Sequence, residues 1–210
     1  MSATGLVLGD DGVARCSWGA SSPDYLSYHD QEWGRRVTGD DRLYERLTLE
    51  AFQSGLSWLT ILRKREGFRC AFADFSIAAV AAFGAADFER LMADAAIVRN
   101  RAKITAAVTN ARAAAELPDG LSALLWSFAP PARRAAPRTV ADVPAVTPES
   151  TAMAKALKRL GFVFVGPITA YALMQATGMV DDHLLGCSAR GAGRASAGRP
   201  SLQTARQVST

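Results

Sequence analysis

Histidine and cysteine are scarce in this chain, with two and three copies in 210 residues. An odd number of cysteines without short-range pairing argues against a disulfide framework and points to a reducing compartment, the cytoplasm. No apolar run approaches the roughly 18 residues of a membrane span, so no membrane partner is expected. The opening "MSATGLVLGDDGVAR" lacks the basic segment and apolar stretch of a secretory signal. β-Alternation is nearly missing, "GFVFVG" at 161–166 being its longest stretch, which excludes sandwiches, barrels and wound parallel sheets. Acid is missing from the last 23 residues, where Arg190, Arg194, Arg199 and Arg206 carry the whole formal charge of +4. Residues 1–187 are therefore neutral overall, and the basic balance says nothing about a polyanion-binding core.

What is present is helical. "SSPDYLSYHDQEW" opens with Ser22 as N-cap and Pro23 at the first helical position. "DDRLYERLTLEAFQSG" reads as a helix capped by its aspartates and stopped by Gly55. Further helices follow at "SWLTILRKR", "SIAAVAAF", "AADFERLMADAA", "RNRAKITAAVTNARAAAE", "LSALLWSF", "PESTAMAKALKRL" and "PITAYALMQATG". The Pro/Ala/Arg stretch 129–147 is a long connection. The fold class is all-α, with a leader at 1–14, one helical domain at 15–187 and a disordered basic tail at 188–210. No assembly motif is visible, so a monomer is expected. Gly161 and Gly166 bracket a turn before Pro167, and the N–H groups at such a helix start suit a phosphate; an ordinary αα-hairpin fits the same pattern. Lys155, Lys158 and Arg159 precede that turn. Arg63, Lys64, Arg65, Arg99, Arg101 and Lys103 are further candidate phosphate contacts, or simple solvated faces.

Both histidines sit near cysteines. Cys16 and His29 are spaced C-x12-H, and His183 and Cys187 are spaced H-x3-C, which on a helical turn would share a face. Two thiolates and two imidazoles form a tetrahedral donor set for zinc with no position left for water, hence a structural site. Such a site would close a loop of about 150 residues, worth about 4–5 kcal/mol in the chain-entropy view. Scattered core residues are the alternative. Cys70 is left over and reads as core.

The segment around His29 is rich in rings. Trp18, Tyr25, Tyr28, Trp33 and Trp58 crowd one window, and Tyr25, Tyr28 and His29 share one helix face. Such rings make flat walls for a planar ligand. Glu50 follows Leu43 and Leu47 on an apolar stripe. A carboxylate buried there needs a partner or a raised pKa, and beside aromatics it would receive a cationic planar base. A surface glutamate at the edge of the stripe is the other reading.

"CSW", "SPDYLSYHDQEWG", "LTLEAFQSGLSWLTILRKRE" and "KALKRLGFVFVGPITAYALMQATGMVDDHLLGC" together resemble the DNA-3-methyladenine glycosylase I family, in order, over roughly residues 15–187. The resemblance implies a helix–hairpin–helix glycosylase architecture. It implies a structural zinc on Cys16, His29, His183 and Cys187. It implies a base pocket of Trp18, Tyr25, Tyr28, Trp58 and Glu50. It also implies hydrolytic excision of 3-methyladenine from alkylated double-stranded DNA, with no lyase step. Two departures stand out. Ala51 replaces an expected glycine and could narrow the pocket. Asp181 aligns with the catalytic aspartate of the wider helix–hairpin–helix superfamily, where this family has a non-acidic residue; a turn-capping aspartate is the alternative. A non-catalytic reader of alkylated DNA would use the same pocket, whereas a zinc hydrolase would need an open coordination position.

Overall fold

The computed structural model describes residues 5–131 and 135–191. Nine α-helices occur among them: α1 Pro23–Gln31, α2 Asp40–Gln53, α3 Trp58–Ala71, α4 Ile77–Ala81, α5 Ala85–Ala93, α6 Arg101–Ala115, α7 Gly120–Trp126, α8 Pro148–Arg159 and α9 Pro167–Ala176. Two short 3-10 turns, Ala73–Phe75 and Val140–Asp142, complete the helical content. None of the described helices is long and apolar enough to cross a membrane. The molecule is mostly helical, but the all-α reading missed a small antiparallel hairpin. Strands β1 (Leu6–Leu8) and β2 (Ala14–Cys16) pair with Leu6 opposite Cys16, across a turn at Gly9–Gly12. Three-residue strands are too short to show alternation, and β2 delivers Cys16 at its last position.

Helix starts follow local chemistry. Ser22 accepts from the Tyr25 N–H (3.2 Å), Ser57 from Thr60 and Asn100 from Lys103, while Thr147 and Ser150 cap each other at the start of α8. The aspartates expected to cap α2 serve other helices instead. Gly39 is the residue at the N-cap of α2; Asp40 Oδ1 accepts from Ser122 N in α7 (2.8 Å), and Asp41 Oδ1 from Ile77 N in α4 (2.9 Å). The carboxylates thus neutralise two neighbouring helix starts and fix how α4 and α7 dock.

α2 lies at the centre, touching α3, α6, α7 and α9, and from Leu43 to Phe52 only Glu45 escapes burial. Leu43, Tyr44, Leu47 and Phe52 join Phe68, Phe72, Ile104, Leu121, Met153 and Met174 in one core. Past the end of α2, Lys103 donates to the carbonyls of Phe52 (2.8 Å) and Ser54 (2.6 Å), a cation where the helix dipole is negative. Lys103 is therefore an interior clamp, not a phosphate contact.

α8 and α9 pack against each other around residues 161–166. The alternating "FVFV" forms no strand; Asn110 of α6 takes the part of a partner strand, accepting from Val163 N (2.8 Å) and donating to Val163 O (3.1 Å). Replacing Asn110 by leucine should strip both groups of Val163 of their partner and cost about 2–3 kcal/mol. A urea melt giving less than about half of that would show that the turn is held from elsewhere.

Candidate active site and metal centre

Cys16, His29, His183 and Cys187 are all buried, and their ligand atoms lie within 4.8 Å of one another. His29 Nε2 is 3.2 Å from His183 Nδ1 and 3.4 Å from Cys187 Sγ; His183 Nδ1 is 3.6 Å from Cys187 Sγ and 4.0 Å from Cys16 Sγ. The cluster could hold a metal ion. Each ring has its other nitrogen engaged: His29 Nδ1 faces Asp30 Oδ1 (2.7 Å), and His183 Nε2 faces the Trp33 carbonyl (3.2 Å). Those contacts fix both tautomers and aim one lone pair of each ring into the cluster. Asp30 is held in turn by Arg15 Nε (2.9 Å), and Leu184 N donates to Cys16 Sγ (3.4 Å). The Cys187 thiol is held far below its ordinary range by Cys16 and then by the two rings, while Cys16 is pushed up by Cys187 and by burial.

The local chain path differs from the expected helical turn. His183 and Cys187 are not on a helix. Cys187 N bonds Leu184 O (2.9 Å) in a turn that needs Gly186 at φ +93°, and this turn brings the two side chains together. Gly19 is required for a different reason, since a Cβ there would lie 2.5 Å from the His29 ring. Ser188 and Arg190, read as the start of the tail, pack here: Ser188 N bonds Ala14 O, and Arg190 donates to the carbonyls of His183 and Asp181. The rest of the expected tail, 192–210, lies outside the described residues.

Against this cluster stands a cavity of about 320 Å³ lined by Trp18, Tyr25, Tyr28, Trp33, Glu50, Gln53, Trp58, Ala172 and Gln175. The five pocket residues picked out in the sequence thus meet around one space. Trp18 meets Tyr25 edge-on at 5.8 Å and Trp33 at 5.0 Å, and Tyr28 lies 5.4 Å from Trp58. The wall and the quartet touch, with His29 edge-on to Trp18 at 5.1 Å and His183 to Trp33 at 4.7 Å. Tyr25 Oη accepts from Leu59 N (3.0 Å), tying α1 to the helix that begins with Trp58.

Glu50 is 7% exposed, and burial pushes its carboxyl up to about 8. Arg46, one turn earlier, pulls the other way but is committed to Glu32 (2.8 Å), which Arg65 also grips with two bonds of 2.6 and 2.8 Å. Those two arginines hold Glu32 down to about 2. Arg65 is therefore part of a half-buried ion network, while Arg63 pairs with Asp24, Lys64 with the Ala95 carbonyl and Arg101 with Glu89.

Ala51 is buried but does not line the cavity. Asp181 does not line it either. Its Oδ2 accepts from Gly191 N (3.0 Å), and Arg190 lies 3.8 Å from its Oδ1. Trp33, Gln53, Gln175 and Ala172 were not among the predicted pocket residues; Trp33 alone carried a signal, as part of the ring-rich window.

A helical domain that walls a base-sized cavity with aromatic rings, buries one carboxyl in it and braces it with a Cys/His quartet is that of a base-excising enzyme. The methyladenine glycosylase family model matches residues 18–190. DNA-3-methyladenine glycosylase 1 of Escherichia coli (strain K12) is 43% identical over 181 residues, which is 83% of this chain and 96% of that protein. A crystal structure of 3-methyladenine DNA glycosylase I superposes with a TM-score of 0.79 at 42% identity, covering 83% of this chain and 98% of the other. The Staphylococcus aureus 3-methyladenine DNA glycosylase I, solved to explain 3-methyladenine recognition, gives 0.79 at 36% identity, covering 84% and 96%. The chain belongs to the methyladenine glycosylase family of DNA repair hydrolases.

Proposed function

We propose that this protein draws 3-methyladenine out of alkylated double-stranded DNA into the aromatic cavity and hydrolyses its N-glycosidic bond. The observation that carries the reading is Glu50, a carboxyl buried in a ring-lined cavity with no cation paired to it among the described residues. A base methylated at N3 is a flat cation. It loses less by leaving the stack than an undamaged base, and it meets π faces and a carboxylate here. Its charge also makes it a good leaving group. The C1′–N bond breaks with its electron pair going to the base, which becomes neutral; water adds at C1′ and gives its proton to solvent. The protein then has mainly to orient and recognise. Tyr28 and Trp58 stack on the base, Trp18 and Tyr25 complete the wall, and Glu50 binds the base edge. Among the described residues no lysine lines the cavity, which fits a monofunctional enzyme without a lyase step.

The quartet is read as a structural zinc site. Zinc at its ordinary bond lengths puts tetrahedral N···N edges at about 3.3 Å and S···N edges at about 3.5 Å; three of the cluster's spacings, 3.2 Å, 3.4 Å and 3.6 Å, support that ion, while Cys16 Sγ, 4.0 Å from His183 Nδ1, would have to move in to join it. The metal would cross-link Cys16 and His29 to His183 and Cys187. Asp181 is assigned to closing the C-terminal turn, since it stands outside the cavity. The α8–turn–α9 pair is read as the helix–hairpin–helix, facing DNA with the exposed Lys155, Lys158 and Arg159. The helical unit 15–187 is read as the working part of a cytoplasmic monomer.

Chromatography of bases released from N-methylated duplex DNA tests the reading. Free 3-methyladenine should appear above the spontaneous rate. Binding of the modified duplex without release by folded protein would make it a reader of alkylated DNA.

A further inference from the structure

Asp182 is the buried carboxylate that the reading above leaves unused. It is 7% exposed, lies in the segment after α9 and immediately precedes the quartet residue His183. One of its oxygens, Oδ2, accepts from Tyr171 Oη (2.5 Å) and from Gln175 Nε2 (2.9 Å), two residues one turn apart on α9. Gln175 lines the base cavity. An amide carries donors at one end and an acceptor at the other, and a carboxylate only accepts. With the N–H end committed to Asp182, the carbonyl end is the one left for the cavity, and among the described residues no donor reaches Gln175 Oε1. The backbone is fixed as well: Gly34 N donates to the Gln175 carbonyl (3.1 Å), and Gly34 belongs to the same loop as Trp33.

We infer that Gln175 is a specificity residue that accepts a hydrogen bond from the exocyclic amine of a 6-aminopurine, and that Asp182 is the positioning residue that holds its carbonyl end toward the base. The inference rests on the proposed glycosylase reading and extends it to the choice between bases. A 6-oxopurine such as 3-methylguanine places a carbonyl where the amine would be, so two acceptors face each other and neither is paired. A site built to pair with a polar substrate group rejects the analogue that cannot satisfy it. Gln53 also lines the cavity and keeps its carbonyl, but its Nε2 is held only by the exposed Leu56 carbonyl at the end of its own helix (3.1 Å), whereas a buried carboxylate from another segment fixes the amide of Gln175.

The test is single-turnover release of 3-methyladenine and 3-methylguanine from one methylated duplex by the full-length protein. Gln175→Met, which keeps length and removes the acceptor, should slow 3-methyladenine release about tenfold, the value of one lost hydrogen bond, and leave 3-methylguanine release within about twofold. The preference between the two bases should therefore fall about tenfold. Asp182→Asn releases the amide to turn over and should lower the preference by a smaller factor. If Asp182→Asn does not fold, Gln175→Met decides alone. An unchanged preference with both rates reduced equally would make the pair a scaffold and overturn the inference. Absence of 3-methyladenine release by the unmutated protein would instead overturn the glycosylase reading, and this inference with it.

Discussion

With zinc in the Cys16–His29–His183–Cys187 cluster as proposed, a strong chelator should lower the melting temperature by about 10–20 °C. The size follows from loop closure: a cross-link between residues some 150 apart restricts the unfolded chain by about 4–5 kcal/mol. Each kcal/mol moves the melting point of a chain of this length by about 2–4 °C. Cys187→Ser should mimic chelation, because the remaining three groups bind more weakly and leave a buried hydroxyl among them. The loss should reach the cavity, since His183 carries the Trp33 carbonyl and His29 packs on Trp18. The check is thermal melting with and without a strong chelator, alongside metal content by atomic absorption. A melting point that does not move, in protein that contains no metal as purified, would remove the ion from the account and leave the quartet as core.

Glu50→Gln should cut base release at least about a hundredfold while leaving affinity for undamaged duplex DNA within about twofold, because the carboxyl lies in the cavity and the charge it offers is met only by a flipped cationic base. Its titration sets the pH dependence. In the folded protein, burial raises the carboxyl from 4.5 to about 8, so it is protonated in the empty cavity at neutral pH. A cationic base favours the carboxylate, so binding expels a proton. Release at limiting enzyme should then rise with pH, by up to about tenfold per unit, and level off above about 8. The Gln variant should show no such slope. The stability consequence has the opposite sign. A carboxyl whose pKa is raised by folding costs nothing below 4.5 and progressively more as pH climbs to 8. Glu50→Gln should therefore be the more stable protein at pH 9 and equal to the unmutated one at pH 4. Equal losses of release and of DNA binding would defeat the assignment of Glu50.

Residue type made parts of this site readable in advance and residue spacing did not. Two histidines and two cysteines in two short pairs raise the question of a metal because few other uses bring those side chains together. The ring-rich window around Tyr28 is visible for the same reason. The helical geometry assumed for H-x3-C fails, since Gly186 bends the chain into a turn instead. Glu50 was reached through an apolar stripe, yet α2 is buried on nearly every side, so its burial follows from a central position in the fold. Gln175 and Asp182 left no trace, because a glutamine becomes a reading group only when a carboxylate from another segment fixes its amide. Asp40 and Asp41 show the same limit: both are capping residues, and which helix they cap is decided by packing.

With the proposed metal bound, the cluster would join Cys16 to Cys187 and turn most of the polypeptide into a closed ring. Ala14 and Ser188, just outside it, are hydrogen-bonded to each other, so the chain enters and leaves this ring at one point. Short flaps from both sides close over that junction: Leu6 pairs opposite Cys16, and Arg190 and Gly191 bond the Asp181–His183 segment. A truncation that spares the quartet but removes either flap would uncover the point where the ring closes.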